Sequence, residues 1–200
     1  MLELDHVFFL VDDPAGAAGR LEAAGWVLDA GRRHAGQGTR NRRLRWRERF
    51  FELLWVEDEA QARANALRLD RRAGWRETGA SPAGLALRGR PGADELPAFW
   101  PYDELGIRIW IHRDNEDHPE RPMVFSLELD PALVAQRPDA GAQPPPGELR
   151  ELRVGGPAPP SLPAYAGPDV VHVPGPHGLE LVVHSDGEAL EVADGLTLRA

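Results

Sequence analysis

The chain has 200 residues, 42% of them hydrophobic, and a formal net charge of -9 at pH 7. That length suits one large domain or two small fused modules, and the negative balance disfavours nonspecific nucleic-acid binding. The absence of cysteine excludes a disulfide frame, a thiol nucleophile and Cys-ligated zinc, and all 23 basic residues are arginine, so no lysine can form a Schiff base.

The opening stretch MLELDHVFFLVDD carries no basic leader, and no apolar run is long enough to span a bilayer. A soluble cytoplasmic protein is the expectation. Leu2 to Val11 reads as a central strand with Leu4, His6, Phe8 and Leu10 on one face. Asp13 suits a helix N-cap with Pro14 in the first turn, and a helix from Ala15 to Ala24 ends at Gly25. Trp26 to Leu28 starts a second strand. A glycine-bearing loop, His34 to Thr39, leads into two more strands within Thr39 to Val56. Glu57 to Ala73 has helical composition. Further strands are predicted at Ala83 to Arg88, Ile107 to His112, Met123 to Asp130, Glu148 to Val154, Asp169 to Val173 and Gly178 to His184, the last two closing the sheet. Trp100-Pro101-Tyr102 reads as an aromatic turn. Of the 19 prolines only Pro14 and Pro82 precede Pro91, so the second half is rich in loops, with connectors at Gln143 to Gly147 and Pro157 to Pro163.

Chemistry concentrates in the first half. In FFELLWV (Phe50 to Val56), Glu52 is the lone carboxylate in an apolar strand. Such a group must be paired, protonated or metal-bound. Alternation puts Glu52 with Phe50, Leu54 and Val56, and Phe51, Leu53 and Trp55 on the other face. His6 is likewise a polar residue in an apolar strand. Either residue could instead be structural, His6 as a hydrogen-bonded core histidine and Glu52 as the partner of an arginine from the Arg40 to Arg49 run. A His–Glu pair also suits metal-free general acid–base work, such as proton abstraction beside a carbonyl. The run Arg32, Arg33, Arg40, Arg42, Arg43, Arg45, Arg47, Arg49 reads either as a solvated strand face or as a site for an anionic substrate, because guanidinium binds carboxylate in two-pronged fashion. His34, Thr39 and Asn41 add polar contacts at the loop, but GQGT lacks the lysine and spacing of a phosphate-binding P-loop. His172 and His177 flank a Pro-Gly-Pro turn and read as a surface loop. No GxSxG elbow is present.

With LDHVFFLVDD, a following helix, HAGQGTRNRRL and FFELLWV, the sequence resembles the vicinal-oxygen-chelate superfamily and its glyoxalase-like domain proteins. The resemblance covers residues 1 to about 75, with GLAL near Leu85 and GLELVV near the end as looser echoes. It implies an α+β fold of paired βαβββ modules forming a half-open curved mixed sheet around a pocket, here 1–75 and an enlarged, proline-rich 76–200. It also implies a divalent metal held from the first and last strand of each module. By that match His6, Glu52 and Glu180 are the metal ligands, with Glu52 and Glu180 also the catalytic residues. The second module offers Ala83-Gly84-Leu85 where a ligand is usual, so His112, His118 and His172 come into consideration as replacements. Substrate contacts are expected from His34, Thr39, Asn41, Arg43, Trp46 and Trp55, with Phe125 also lining the pocket. The implied activity is a metal-dependent lyase, isomerase or dioxygenase acting on a small oxygenated or carboxylated molecule, with zinc, iron, manganese and nickel undistinguished and no organic cofactor. The alternative is a non-catalytic binding protein of the resistance type, in which Trp46, Trp55, Trp100 and Trp110 stack on the ligand. The expected partner is a small molecule, not nucleic acid or membrane, and a homodimer is compatible with the length.

Overall fold

The computed structural model describes residues 2–46, 49–104, 107–129, 147–184 and 186–200. In chain order the strands are β1 (Leu2–Leu10), β2 (Arg33–His34), β3 (Thr39–Arg45), β4 (Phe50–Val56), β5 (Ala83–Arg88), β6 (Phe99–Glu104), β7 (Ile107–His112), β8 (Met123–Glu128), β9 (Glu151–Gly156), β10 (Tyr165–Ala166), β11 (Asp169–Pro174), β12 (Gly178–Val182), β13 (Ala189–Ala193) and β14 (Leu196–Arg199). The helices are α1 (Pro14–Ala23), α2 (Glu59–Ala64), α3 (Leu69–Ala73), α4 (Trp75–Thr78) and α5 (Asp114–Asp117). Arg47, Glu48, Asp130 and residues 143–146 of the expected connector lie outside the described residues.

The fold is α+β, and its main feature is a curled mixed sheet ordered β2-β3-β4-β1-β5-β8-β7-β6, with β10 added to the end of β1. Two units share one strand order. The first runs β1-β4-β3-β2 and the second β5-β8-β7-β6, joined by antiparallel pairing of β1 with β5. In the second unit a single 3-10 turn, Leu96–Ala98, stands where the first has α1. The helix α1 is started by Asp13, whose carboxylate accepts from the Gly16 N–H at 2.9 Å, with Pro14 in the first turn.

Alternation along the strands builds two apolar layers. The convex back of the sheet presents Val7, Phe9, Phe51, Leu53, Leu85 and Val124 to α1 and to a second sheet, ordered β11-β9-β12-β14-β13. Leu152, Val154, Leu179, Leu181, Leu196 and Leu198 complete that layer. The concave side carries Phe8, Leu10, Leu54, Ala86, Ile111, Met123, Phe125 and Leu127, capped by Leu67 and Leu69.

Several expectations change. Asp169 to Val173 and Gly178 to His184 do not close the main sheet. They pair in the second sheet, because Leu179 and Leu181 need an apolar layer to cover and find it behind β1 and β4. Trp26 to Leu28 forms no ladder beyond a Leu28–Leu44 bridge, and the strand beside β3 is β2. Trp100-Pro101-Tyr102 is part of β6, an edge strand where a proline costs no ladder bond. The helix expected over Glu57 to Ala73 is broken. Asn65 leaves helical geometry (φ -78°, ψ 142°), its Oδ1 accepting from the Leu67 N–H and its Nδ2 donating to Gly36 O and the Tyr102 hydroxyl. Arg68 then adopts φ 49°, its guanidinium closed onto Asp70.

The broken segment is held over the concave side by Arg72, whose side chain is buried. Its Nη1 donates to the carbonyls of Ser81, Pro119 and Arg121, and its Nε to Asn115 Oδ1, while Asn115 Nδ2 reaches Leu67 O. Burial pushes this guanidinium down to about 10, against a small opposing pull from Glu120. Arg72→Ala would orphan several buried acceptors, so we expect it to lose about 3 kcal/mol in urea denaturation, with Arg72→Lys restoring little because an ammonium cannot span the same carbonyls.

Candidate functional site

The concave face encloses a cavity of about 370 Å³. It is polar on the first unit and apolar on the second. His6 enters from β1, Glu52 from β4, Arg43 and Arg45 from β3, and Arg32 and His34 from the segment around β2. The opposite wall is Ile107, Ile109 and Ile111 from β7 and Met123, Phe125 and Leu127 from β8.

A bulge in β1 shapes the polar part. The β1–β5 register shifts between Leu4 and His6, so Leu4 falls on the back layer while Asp5 and His6 both reach the cavity. This corrects the expectation that Leu4 shares a face with His6, Phe8 and Leu10. The fully buried Asp5 contacts His6 Nδ1 at 2.8 Å. Nε2 is then the imidazole nitrogen without a partner among the described residues. The ring stacks on Phe50 with centroids 4.4 Å apart and meets Phe125 edge-on at 5.6 Å.

Glu52 accepts from Asn41 Nδ2 at 2.6 Å. The same amide reaches His34 Nε2 at 3.5 Å, and His34 Nδ1 meets Thr39 Oγ1 at 2.9 Å. The chain is directional. Asn41 Oδ1 accepts from the Arg32 backbone N–H, so its NH₂ is the donor toward both Glu52 and His34, and His34 carries its proton on Nδ1 toward Thr39. Burial holds the His34 imidazole below its ordinary value of 6.5; Glu52 pulls the other way, and Arg32, His6 and Arg43 push further down.

Arg43 and Arg45 each donate through Nε to the same Asp29 oxygen at 2.8 Å. Burial and the neighbouring Arg45 hold Arg43 below the usual guanidinium range. Burial works to raise the Asp29 carboxyl, but Arg45, Arg43 and the Gly31 N–H together hold it below its ordinary value. Both guanidinium carbons also lie over the Phe50 ring, at 5.9 and 5.4 Å.

Other sequence candidates sit elsewhere. Glu180 belongs to β12 in the second sheet, paired with Arg153 at 3.1 Å and Arg199 at 2.7 Å, and does not share a surface with His6 and Glu52. Trp46 packs in the back layer, and Trp55 follows Phe51 and Leu53 in the alternation, on the face away from Glu52. Neither lines the cavity. Thr39 and Asn41 support lining residues from behind. Trp110, buried on the face of β7 away from the cavity, donates to Glu128, and Trp100 packs against the apolar wall. His112 lies by Asp114, His118 by Glu120, and His172 on Gly156 O. Asp5 escaped sequence reading because strand alternation assigns it to the face opposite His6. The apolar wall had a signal: IRIWIH and MVFSLEL alternate cleanly, with Ile or a large apolar residue at every second position.

The residues do not fit a chelated divalent metal. The cavity-facing positions of β5 and β8 are Gly84 and Ala86, then Met123, Phe125 and Leu127. These offer no donor except a soft thioether. Gly84 is bound to stay glycine, since a Cβ there would come within 2.1 Å of the Phe8 ring. Among the described residues no group of three or more His, Asp or Glu side chains is placed to hold a metal.

Residues 4–98, just under half of the chain, match the family model described as a glyoxalase-like domain. A Staphylococcus aureus protein described as hypothetical superposes over 100% of this chain and 98% of its own, with TM-score 0.63 and 12% identity. Over the matched residues the chain is similar to the glyoxalase-like domain family, and over its whole length it shares the fold of that solved structure. The methylmalonyl-CoA epimerase of Mycobacterium tuberculosis covers 66% of this chain and 91% of itself at TM-score 0.44 and 20% identity. A Streptomyces coelicolor methylmalonyl-CoA epimerase, solved with 2-nitronate-propionyl-CoA, covers 62% and 95% at TM-score 0.40 and 14% identity. No curated protein matches the sequence.

Two outcomes test this description of the site. Gly84→Ala should cost about 1–3 kcal/mol by overpacking against Phe8, measured by urea denaturation. His34 is depressed, so the unfolded chain binds its proton first and stability falls as pH drops below about 6.5 and levels off beneath the folded value. His34→Gln should flatten that acid limb in denaturation midpoints from pH 7.5 to 4.5, leaving the part due to His112, which burial also lowers.

Proposed function

We propose that this protein acts on a small oxygenated molecule through metal-independent proton transfer, as an isomerase or lyase. The Asp5–His6 pair carries this reading: a fully buried carboxylate orients an imidazole that lines the cavity, stacked on Phe50 and edge-on to Phe125. His6 Nε2 accepts a proton from a carbon beside a carbonyl, and the C–H bonding pair moves onto the carbonyl oxygen as an enolate. Asp5 stabilises the imidazolium that forms, and the proton returns from His6 to the same or the conjugated carbon. Glu52, held by Asn41, is the second proton carrier, and His34, kept neutral by burial, accepts a hydrogen bond rather than adding charge.

A binding protein without chemistry is the second reading, favoured by the apolar second wall, which contributes nothing to proton transfer. The two readings separate in deuterated water. If the first holds, an acidic C–H in a bound oxo acid exchanges with solvent, EDTA leaves the rate unchanged, and His6→Gln lowers it about 10²–10⁴-fold with ligand Kd little altered. If the ligand binds but its C–H never exchanges, the protein is a binder. Elemental analysis should find no stoichiometric zinc, iron, manganese or nickel, and titration with these ions should leave the melting temperature in place. Stoichiometric metal lost in Glu52→Gln would restore the chelate reading.

A further inference from the structure

The strand order places the two kinds of wall at opposite rims of one trough. Crossing the sheet from β3 through β4, β1, β5 and β8 to β7, the cavity-facing side chains run from Arg43 and Arg45 to Glu52, then His6 and Phe8, then Phe125, and finally Ile109. The gradient has no polar interruption beyond β1. Ile107, Ile109 and Leu129 line it while only partly buried. Contiguous apolar surface open to solvent inside a concavity marks a binding wall.

The charged rim sets Arg32, Arg43 and Arg45 beside Glu52 and the Asp5–His6 pair. Arg43 and Arg45 share one carboxylate, Asp29, and spend only their Nε atoms on it. Their Nη groups make no hydrogen bond among the described residues, and Arg32, at the cavity edge, makes no ion pair among them. Free guanidinium forks at one end of a trough suit a carboxylate, which takes two parallel N–H donors. Both guanidiniums lie over Phe50, which also stacks on His6, so an anion held there sits one ring from the imidazole.

From this gradient we propose that the ligand is an amphipathic monocarboxylic acid with a medium-length unbranched tail, its carboxylate on Arg32, Arg43 and Arg45 and its tail along Phe125 and Ile109. The inference rests on the cavity being the site, and it puts the carbons next to the carboxylate at His6 and Glu52. The volume of about 370 Å³ holds about a dozen non-hydrogen atoms at ~30 Å³ each, the size of decanoate.

The test is calorimetric titration of the whole protein with hexanoate, octanoate, decanoate, decanamide and butanedioate, below micellar concentration. Affinity should rise about fourfold per methylene from hexanoate to decanoate, decanoate should bind at least about tenfold tighter than decanamide, and butanedioate should not bind. Arg32→Gln, an exposed substitution, should weaken decanoate about tenfold and leave decanamide unchanged. Ile109→Glu, folded by circular dichroism, should abolish both. Decanamide binding as well as decanoate, with Ile109→Glu still abolishing both, overturns the carboxylate assignment and leaves the cavity as the site. Butanedioate binding in preference overturns the tail. Failure of every compound, neutral decanamide included, overturns both the inference and the cavity reading beneath it.

Discussion

The bulge between Leu4 and His6 is the local irregularity on which the site depends. β1 lies at the middle of the main sheet, parallel to β4 and antiparallel to β5, and so joins the two units. A regular strand would send Asp5 to the back layer, where an unpaired carboxylate is costly. The shift in register instead puts Asp5 and His6 on the cavity side together, while Val7 and Phe9 resume the back layer. One extra residue thus creates a buried carboxylate–imidazole contact and keeps both apolar layers continuous.

From that strand outward, the two units have diverged in chemistry while keeping one topology. The first surrounds His6 with Glu52, Asn41, His34 and three arginines. The second answers with Gly84, Ala86, Phe125 and isoleucines. Phe8 fills the space above Gly84, and Phe125 lies edge-on to His6, so aromatic rings occupy the region between the units. That exchange turns a symmetric fold into a trough with a charged end and an oily end. The first carries the titratable and hydrogen-bonding side chains of the cavity, the second its hydrocarbon.

The remaining chain stiffens this arrangement. The second sheet and α1 cover the back of β1 and β4, and Glu180 serves there as a partner for Arg153 and Arg199. Arg72 fastens the Leu67–Leu69 segment across the concave side through carbonyls rather than through a carboxylate. A guanidinium placed so deep acts as a structural tie, its Nε and Nη1 donating to Asn115 and to loop carbonyls.

Periodicity and local chemistry were enough to place β1, α1, β3, β4, β5, β7 and β8, because two-residue alternation and the Asp13-Pro14 cap are properties of the local chain. They were also enough to put Glu52 on the face opposite Trp55, and to single out His6, His34 and Arg43. The break at Asn65 escaped because its cause is a side chain bonding to Gly36 and Tyr102, distant in sequence. The bulge escaped because it is set by pairing with β5. Glu180 was misplaced because a strand does not disclose which sheet it joins; that choice depends on which apolar surface remains to be covered once the first sheet has curled. The residue types of the site were legible in the sequence, whereas the charge-to-apolar gradient exists only through strand order, which brings β3 and β7, distant in sequence, to opposite rims of one cavity.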